Sequence, residues 1–149
     1  MKGREIVEAV LKHYRDCQLD GVKDVERQME IYSDDSRFVV FPTPGVMGIS
    51  DPVALDGKEA IRDFFEQYND YVNTLDSITI LHKNFMVDQE ALKGSFVMEI
   101  TMIKGEERHQ YLNYLQMQLN EDMQVILSLN WQADVTGSRV LEFVYTAPT

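Results

Sequence analysis

The chain has 149 residues, 44% hydrophobic and 26% charged, the balance of one globular domain large enough to bury a real core. Its 25 acids against 14 bases give a formal net charge of −11, and with no basic cluster to neutralise phosphates it is expected to bind neither nucleic acid nor an anionic membrane. The single cysteine, Cys17, allows no intrachain disulfide; with a charged N-terminus and no membrane-length apolar run, a cytoplasmic protein is expected.

Val7, Val10, Leu11, Tyr14 and Cys17 recur at helical spacing and predict an amphipathic helix from about Gly3 to Leu19, stopped by Asp20-Gly21. Val22, Val25, Met29 and Tyr32 form a second, shorter stripe, ending before Ser33-Asp34-Asp35, which reads as a turn. Arg37 to Phe41, RFVVF, is β-branched and aromatic and predicts a strand. Pro42, Pro44, Gly45, Gly48 and Pro52 then argue against regular structure as far as Asp56-Gly57. A third helix follows, with Ile61, Phe64, Phe65, Tyr68, Tyr71 and Val72 on its buried face.

After Asp76 the period becomes two, and SITILHKNFMV, ALKGSFVMEITMIKG, ERHQYLNYLQMQL and MQVILSLNWQADV predict four long strands. The polar breaks between them, DQE, KGEE and NED, are those of antiparallel neighbours. A last run, RVLEFVY, is a further strand or an arm. The layout is one α+β domain over residues 1–149, with its core at about 5–135 and a C-terminal strand or arm at 136–149. Three helices are expected in the concave face of a strongly curved, mostly antiparallel sheet, a cone-shaped barrel. Both parities of the second long strand are apolar: Phe96, Met98, Ile100 and Met102 on one side, Val97 and Ile103 on the other. With the helices used on the first face, a second subunit is the expected cover for the other, as a homodimer packed sheet to sheet.

The order helix, helix, YSDD (Tyr32 to Asp35), strand ending F-P, Pro/Gly loop and GKEAI (Gly57 to Ile61), then hairpins, resembles the nuclear transport factor 2-like superfamily, with its SnoaL-like polyketide cyclases, ketosteroid isomerases and limonene epoxide hydrolases. The resemblance covers roughly residues 5 to 135. It implies a deep, mostly apolar pocket, with Thr43 to Leu55 as its rim or lid. The ketosteroid isomerases' first-helix oxyanion tyrosine matches Tyr14. Their carboxylate base falls at Val40 or Phe41 and their second oxyanion acid near Leu115, so both acids are missing. The epoxide hydrolases' water-holding Tyr and Asn match Phe38 and Val40, and their Asp-Arg-Asp set matches Glu99, Val97 and Asn130. Only one carboxylate of that set is kept.

What remains reads as a site of its own. Strand alternation puts Ser95, Val97, Glu99 and Thr101 on one face, Tyr111, Asn113, Leu115 and Met117 on another, and Ile126, Ser128, Asn130 and Gln132 on a third. If all three look into the cone, Glu99 meets Asn113 and Asn130 in an apolar cavity, where burial would raise its pKa toward that of a general acid/base. Tyr14 or Asn130 would stabilise an oxyanion, and Phe38, Val40, Val97, Tyr68, Tyr111, His82 and Gln132 would contact the ligand. Glu99 paired with a base at the sheet surface, and tyrosines and asparagines used only in packing, are the structural alternatives. No metal-ligand spacing, phosphate loop or nucleotide fingerprint occurs, so no cofactor and no metal are expected. The expected activity is a cofactor-independent isomerase, dehydratase or cyclase acting by proton transfer on a hydrophobic, oxygenated small molecule. The alternative is a non-catalytic binding or dimeric adaptor module built on the same cone.

Overall fold

The computed structural model describes residues 2–19, 24–41 and 52–134. Three helices and six strands follow one another as α1 (Gly3–Leu19), α2 (Val25–Met29), β1 (Arg37–Phe41), β2 (Val53–Asp56), α3 (Lys58–Val72), β3 (Ser77–Asp88), β4 (Lys93–Lys104), β5 (Glu107–Leu119) and β6 (Val125–Asp134). The strands form one sheet in the order β2-β1-β6-β5-β4-β3. Every neighbouring pair is antiparallel except β1 with β6, which is parallel. The α+β layout is therefore as expected, with one difference: among the described residues β2 and β3 are the two edges and the sheet does not close into a barrel.

The long strands are bent by irregularities. The β3–β4 register shifts between Lys83 and Met86, where Asn84 has a φ of 58°, and the β5–β6 register shifts between Gln118 and Leu119. Such bulges add twist and curl the sheet toward one side. The helices fill that side. Val7, Val10, Leu11, Ile61, Phe64 and Phe65 pack against Phe38, Phe96, Met98, Leu115 and Met117, all buried. Contact is close at Gly94, where an added Cβ would lie 2.6 Å from Val7 Cγ1 and 2.8 Å from Leu11 Cδ1. The missing side chain is what lets α1 rest directly on β4.

Two local expectations change. The second helix is a single short turn-and-a-half, Val25–Met29, capped by the Asp24 side chain accepting from Arg27 N at 3.1 Å. Tyr32 lies beyond it, buried against Phe38 and Phe65. Residues 53–56, expected as loop, form β2, which pairs with β1 from Arg37↔Asp56 to Val40↔Val53 and buries Leu55. Prolines lower strand propensity locally, but an open edge of β1 supplies backbone partners that override it. Gly57 follows with a φ of 89°, a conformation suited to glycine, and its N–H bonds Ser36 O at 2.8 Å to launch α3. Residues 42–51 and the C-terminal run RVLEFVY lie outside the described residues. Among the described residues, no helix is long and apolar enough to cross a membrane.

Candidate functional site

The face toward the helices is set by strand parity. On β5, Tyr111, Asn113, Leu115 and Met117 are buried, and on β6 so are Ser128 and Asn130. Asn113 is paired across the ladder with Gln132, Leu115 with Asn130, and Val40 of β1 with Asn130. These pairings place Val40, Asn130, Gln132, Asn113 and Tyr111 side by side on the concave surface. From the opposite side come Tyr14 and Gln18 of α1 and Phe64, Phe65 and Tyr68 of α3. Together with Phe38 and Ile100 they line a cavity of ≈ 30 Å³. A smaller void of ≈ 10 Å³, lined by His13, Cys17, Gln28 and Tyr32 among others, shares Tyr14, Gln18 and Phe65 with it.

The polar groups in this cavity are neutral. Tyr68 and Tyr111 bring their hydroxyls to 3.4 Å. Burial pushes the Tyr14 phenol well above its ordinary value, with the neighbouring Tyr68 and Cys17 adding to it. Burial raises Tyr68 as well, and raises Tyr111 strongly, with Tyr68 contributing. All three remain protonated across the physiological range and can donate a hydrogen bond. Asn113 and Asn130 are 5% and 4% exposed, and the amide oxygen of each has no hydrogen-bond partner in the structure. The Ser128 hydroxyl, fully buried beside them, is in the same condition. Buried polar atoms left unpaired are costly, about 1–3 kcal/mol each, and a ligand or ordered water at the site satisfies them.

Of the expected site residues, Tyr14, Phe38, Val40, Tyr68, Tyr111, Asn113, Asn130 and Gln132 come together here. Glu99 does not. Its strand buries Phe96, Met98, Ile100 and Met102 toward the helices, so Glu99 and Val97, one residue out of phase, stand on the opposite, convex face. The Glu99 carboxylate is 42% exposed and bonds the Lys83 ammonium of β3. Expecting Glu99 in the cavity was wrong because both faces of β4 carry apolar residues, and the helices pack on the face of Gly94, Phe96, Met98, Ile100 and Met102. Ile126 likewise leaves the concave row, since it sits at the β5–β6 register shift and is exposed. His82 is on the concave side but behind the cavity. Its Nε2 lies 2.7 Å from Gln18 Oε1 and its ring packs on Phe96 at 5.4 Å. Burial, with Arg15 nearby, lowers its pKa to about 4, Asp16 opposing, so the ring is neutral near pH 7 and donates to Gln18. His82 therefore positions a lining residue.

Gln18, Phe64, Phe65 and Ile100 complete the lining without having been singled out as site residues. The signal for Gln18 was its place one helical turn after Tyr14, and for the phenylalanines their helical spacing with Tyr68. Among the described residues, no group of His, Cys, Asp or Glu is arranged to hold a metal ion.

No family model matches the chain, and no curated protein is significantly similar to it in sequence. Solved structures do match in three dimensions. A Jannaschia sp. protein named for its likeness to SnoaL polyketide cyclases has 11% identity and a TM-score of 0.63, covering 87% of this chain and 86% of its own. A Bacillus subtilis protein provisionally named an isomerase has 16% identity and a TM-score of 0.64, over 89% and 90%. A limonene epoxide hydrolase-like enzyme of M. tuberculosis has 10% identity and a TM-score of 0.60, over 87% and 84%. The chain has the SnoaL-like, nuclear transport factor 2-like fold. In this SnoaL-like fold the cavity lies between α1, α3 and the β1-β6-β5 part of the sheet, and its described lining contains hydroxyls and amides but no carboxylate.

Proposed function

We propose that this cavity, which at ≈ 30 Å³ holds only a water or two as it stands, widens by side-chain movement to take a compact, uncharged, oxygenated small molecule, and that the chain acts on it without a cofactor, as an isomerase, dehydratase or cyclase of the SnoaL-like kind. The carrying observation is the convergence of the Tyr68–Tyr111 hydroxyl pair with the unpaired Asn113 and Asn130 amide oxygens on one apolar-walled space. A carbonyl placed against the tyrosines would be polarised by protonated phenols. Fixed donors at a developing oxyanion are worth about 3–4 kcal/mol each in a water-poor site. A hydroxyl or N–H on the same molecule would satisfy the asparagines. An ionic ligand is disfavoured, because the described lining has no opposite charge to offset its desolvation. Glu99 has no part in this reading; with no base in the described lining, the substrate's proton would pass to one water admitted with it and return from that water to the new position, while the tyrosine phenols donate to the oxyanion.

Non-catalytic binding is the second reading, favoured by the lack of a carboxylate in the described lining. Both are tested by screening hydroxylated cyclic ketones for binding by calorimetry and for conversion by mass spectrometry. Tyr111→Phe and Asn130→Leu are expected to weaken binding about 10-fold or more, with the fold retained. Binding without conversion leaves the second reading standing, and binding untouched by both variants overturns the site.

A further inference from the structure

We infer that His109 holds the proton in transit at this site: the cavity widens past Tyr111 toward His109, whose Nδ1 takes the substrate's proton from the admitted water and gives it back. This rests on the reading above and names the group that the present lining lacks.

His109 is 3% exposed, and its Nδ1 has no hydrogen-bond partner in the structure. The other two histidines are engaged. His13 Nε2 lies 2.7 Å from Arg27 O, and His82 Nε2 lies 2.7 Å from Gln18 Oε1. A buried, unpaired imidazole nitrogen is a standing cost that packing does not explain. Its position gives it a use. His109 precedes Tyr111 and Asn113 on the buried row of β5, and its ring packs on that of Tyr111 at 5.5 Å. Its Nδ1 thus continues the set of unpaired atoms already formed by Ser128 and the two asparagines.

The cavity walls decide where widening is easiest. Phe38, Phe64 and Phe65 brace one another, with ring centroids 5.6–5.7 Å apart, and Gln18 is held by His82. The end at Tyr111 is looser. Its hydroxyl meets that of Tyr68 at 3.4 Å, long for a bond between hydroxyls. Met102, unbranched and adaptable, stands opposite His109 on β4. Parting the phenols and turning the Met102 thioether joins the cavity to His109 while the phenylalanines stay in place. The ~13 Å of strand from Asn113 to His109 then suits a bicyclic ketone.

The transfer balances. With the ring proton on Nε2, Nδ1 is an acceptor. A C–H bond beside the carbonyl breaks, its proton goes to the water, and a proton of that water goes to Nδ1. This leaves water, an imidazolium and an enolate whose oxygen accepts from the tyrosines. The reverse transfer, to a different carbon, restores the imidazole. Imidazolium and enolate form together, so the cavity never holds an uncompensated charge. The titratable side chains gathered round Tyr111 are the phenols of Tyr14, Tyr68 and Tyr71. Arg108 and Gln110 are out of phase with His109 on β5, and the backbone of Asp134 is paired with Tyr111.

The probe is 2-tetralone, an enolisable bicyclic ketone, with binding read by calorimetry and deuterium uptake from D2O by mass spectrometry as a function of pH. The wild type is expected to bind it and to speed uptake, with the rate falling on the acid side. His109→Gln is expected to lower uptake at least ~100-fold and to abolish that fall, with the dissociation constant within ~3-fold and the far-ultraviolet circular dichroism unchanged. Asp134→Asn is expected to keep the acid fall. Should His109→Gln lose its folded spectrum, His109→Asn decides by the same readings. Uptake and pH profile unchanged in the His109 variants, or an acid fall lost in Asp134→Asn instead, overturns this inference and leaves the cavity reading standing. Binding without uptake in the wild type also overturns it, in favour of non-catalytic binding. No binding of the probe up to about 5 mM overturns the widening on which both readings stand.

Discussion

The concave and convex faces of β4 are one residue apart in sequence and entirely different in use. Met98 and Ile100 are packed beneath the helices, whereas Glu99 between them reaches outward to Lys83. The same alternation runs through β5, where buried Asn113 alternates with exposed Leu112 and Tyr114. The contrast inverts the simple rule of apolar in and polar out. Asparagines lie inside and leucine outside, because the concave face holds a polar-floored cavity while the other face is exposed.

The sharpest way to break the concave side is to hollow it. Phe96 is fully buried and touches the rings of Tyr14, His82 and Phe85, so Phe96→Ala is expected to cost about 3–5 kcal/mol in urea unfolding. Crowding it is next. Gly94→Val would drive a side chain into Val7 and Leu11 and should cost about 1–3 kcal/mol by the same measurement.

A smaller effect separates the faces by pH. The folded His82 pKa of about 4 lies below the ordinary 6.5, so between these values the unfolded chain binds more protons. The advantage of the neutral ring is full above pH 6.5 and is lost as the pH falls to about 4. Because the ring is only half-buried, the discounted loss is about 1 kcal/mol. In His82→Gln the drop in stability between pH 7 and 4 should shrink by that amount, measured as urea midpoints across the range. Smallest of all is Glu99→Gln, which removes a half-exposed ion pair and should change stability by less than ~0.5 kcal/mol and ligand binding in the cavity not at all. A large loss of binding in that variant would return Glu99 to the site.

Much of this was legible beforehand. Helical spacing in α1 and α3 and alternation in β3 to β6 are local signals, and they located Tyr14, Tyr68, Tyr111, Asn113 and Asn130 on faces that do converge. The strand at residues 53–56 was not legible, since its four residues follow Pro52 and it exists by pairing with β1. Gln18 carried a signal, one helical turn after Tyr14, that does not by itself separate a lining residue from a solvent-facing one, since that depends on how α1 lies across the sheet.

The amino-acid order by itself determined the helices, the long strands and which residues share a side, because periods of 3.6 and 2 are properties of the backbone. It could not say which side of β4 the helices would choose. Both sides carry apolar residues, and a period of two is blind to inversion. The tertiary structure decided that through Gly94, which lets α1 press its valine and leucine onto the face of Met98 and so turns Glu99 to the other side.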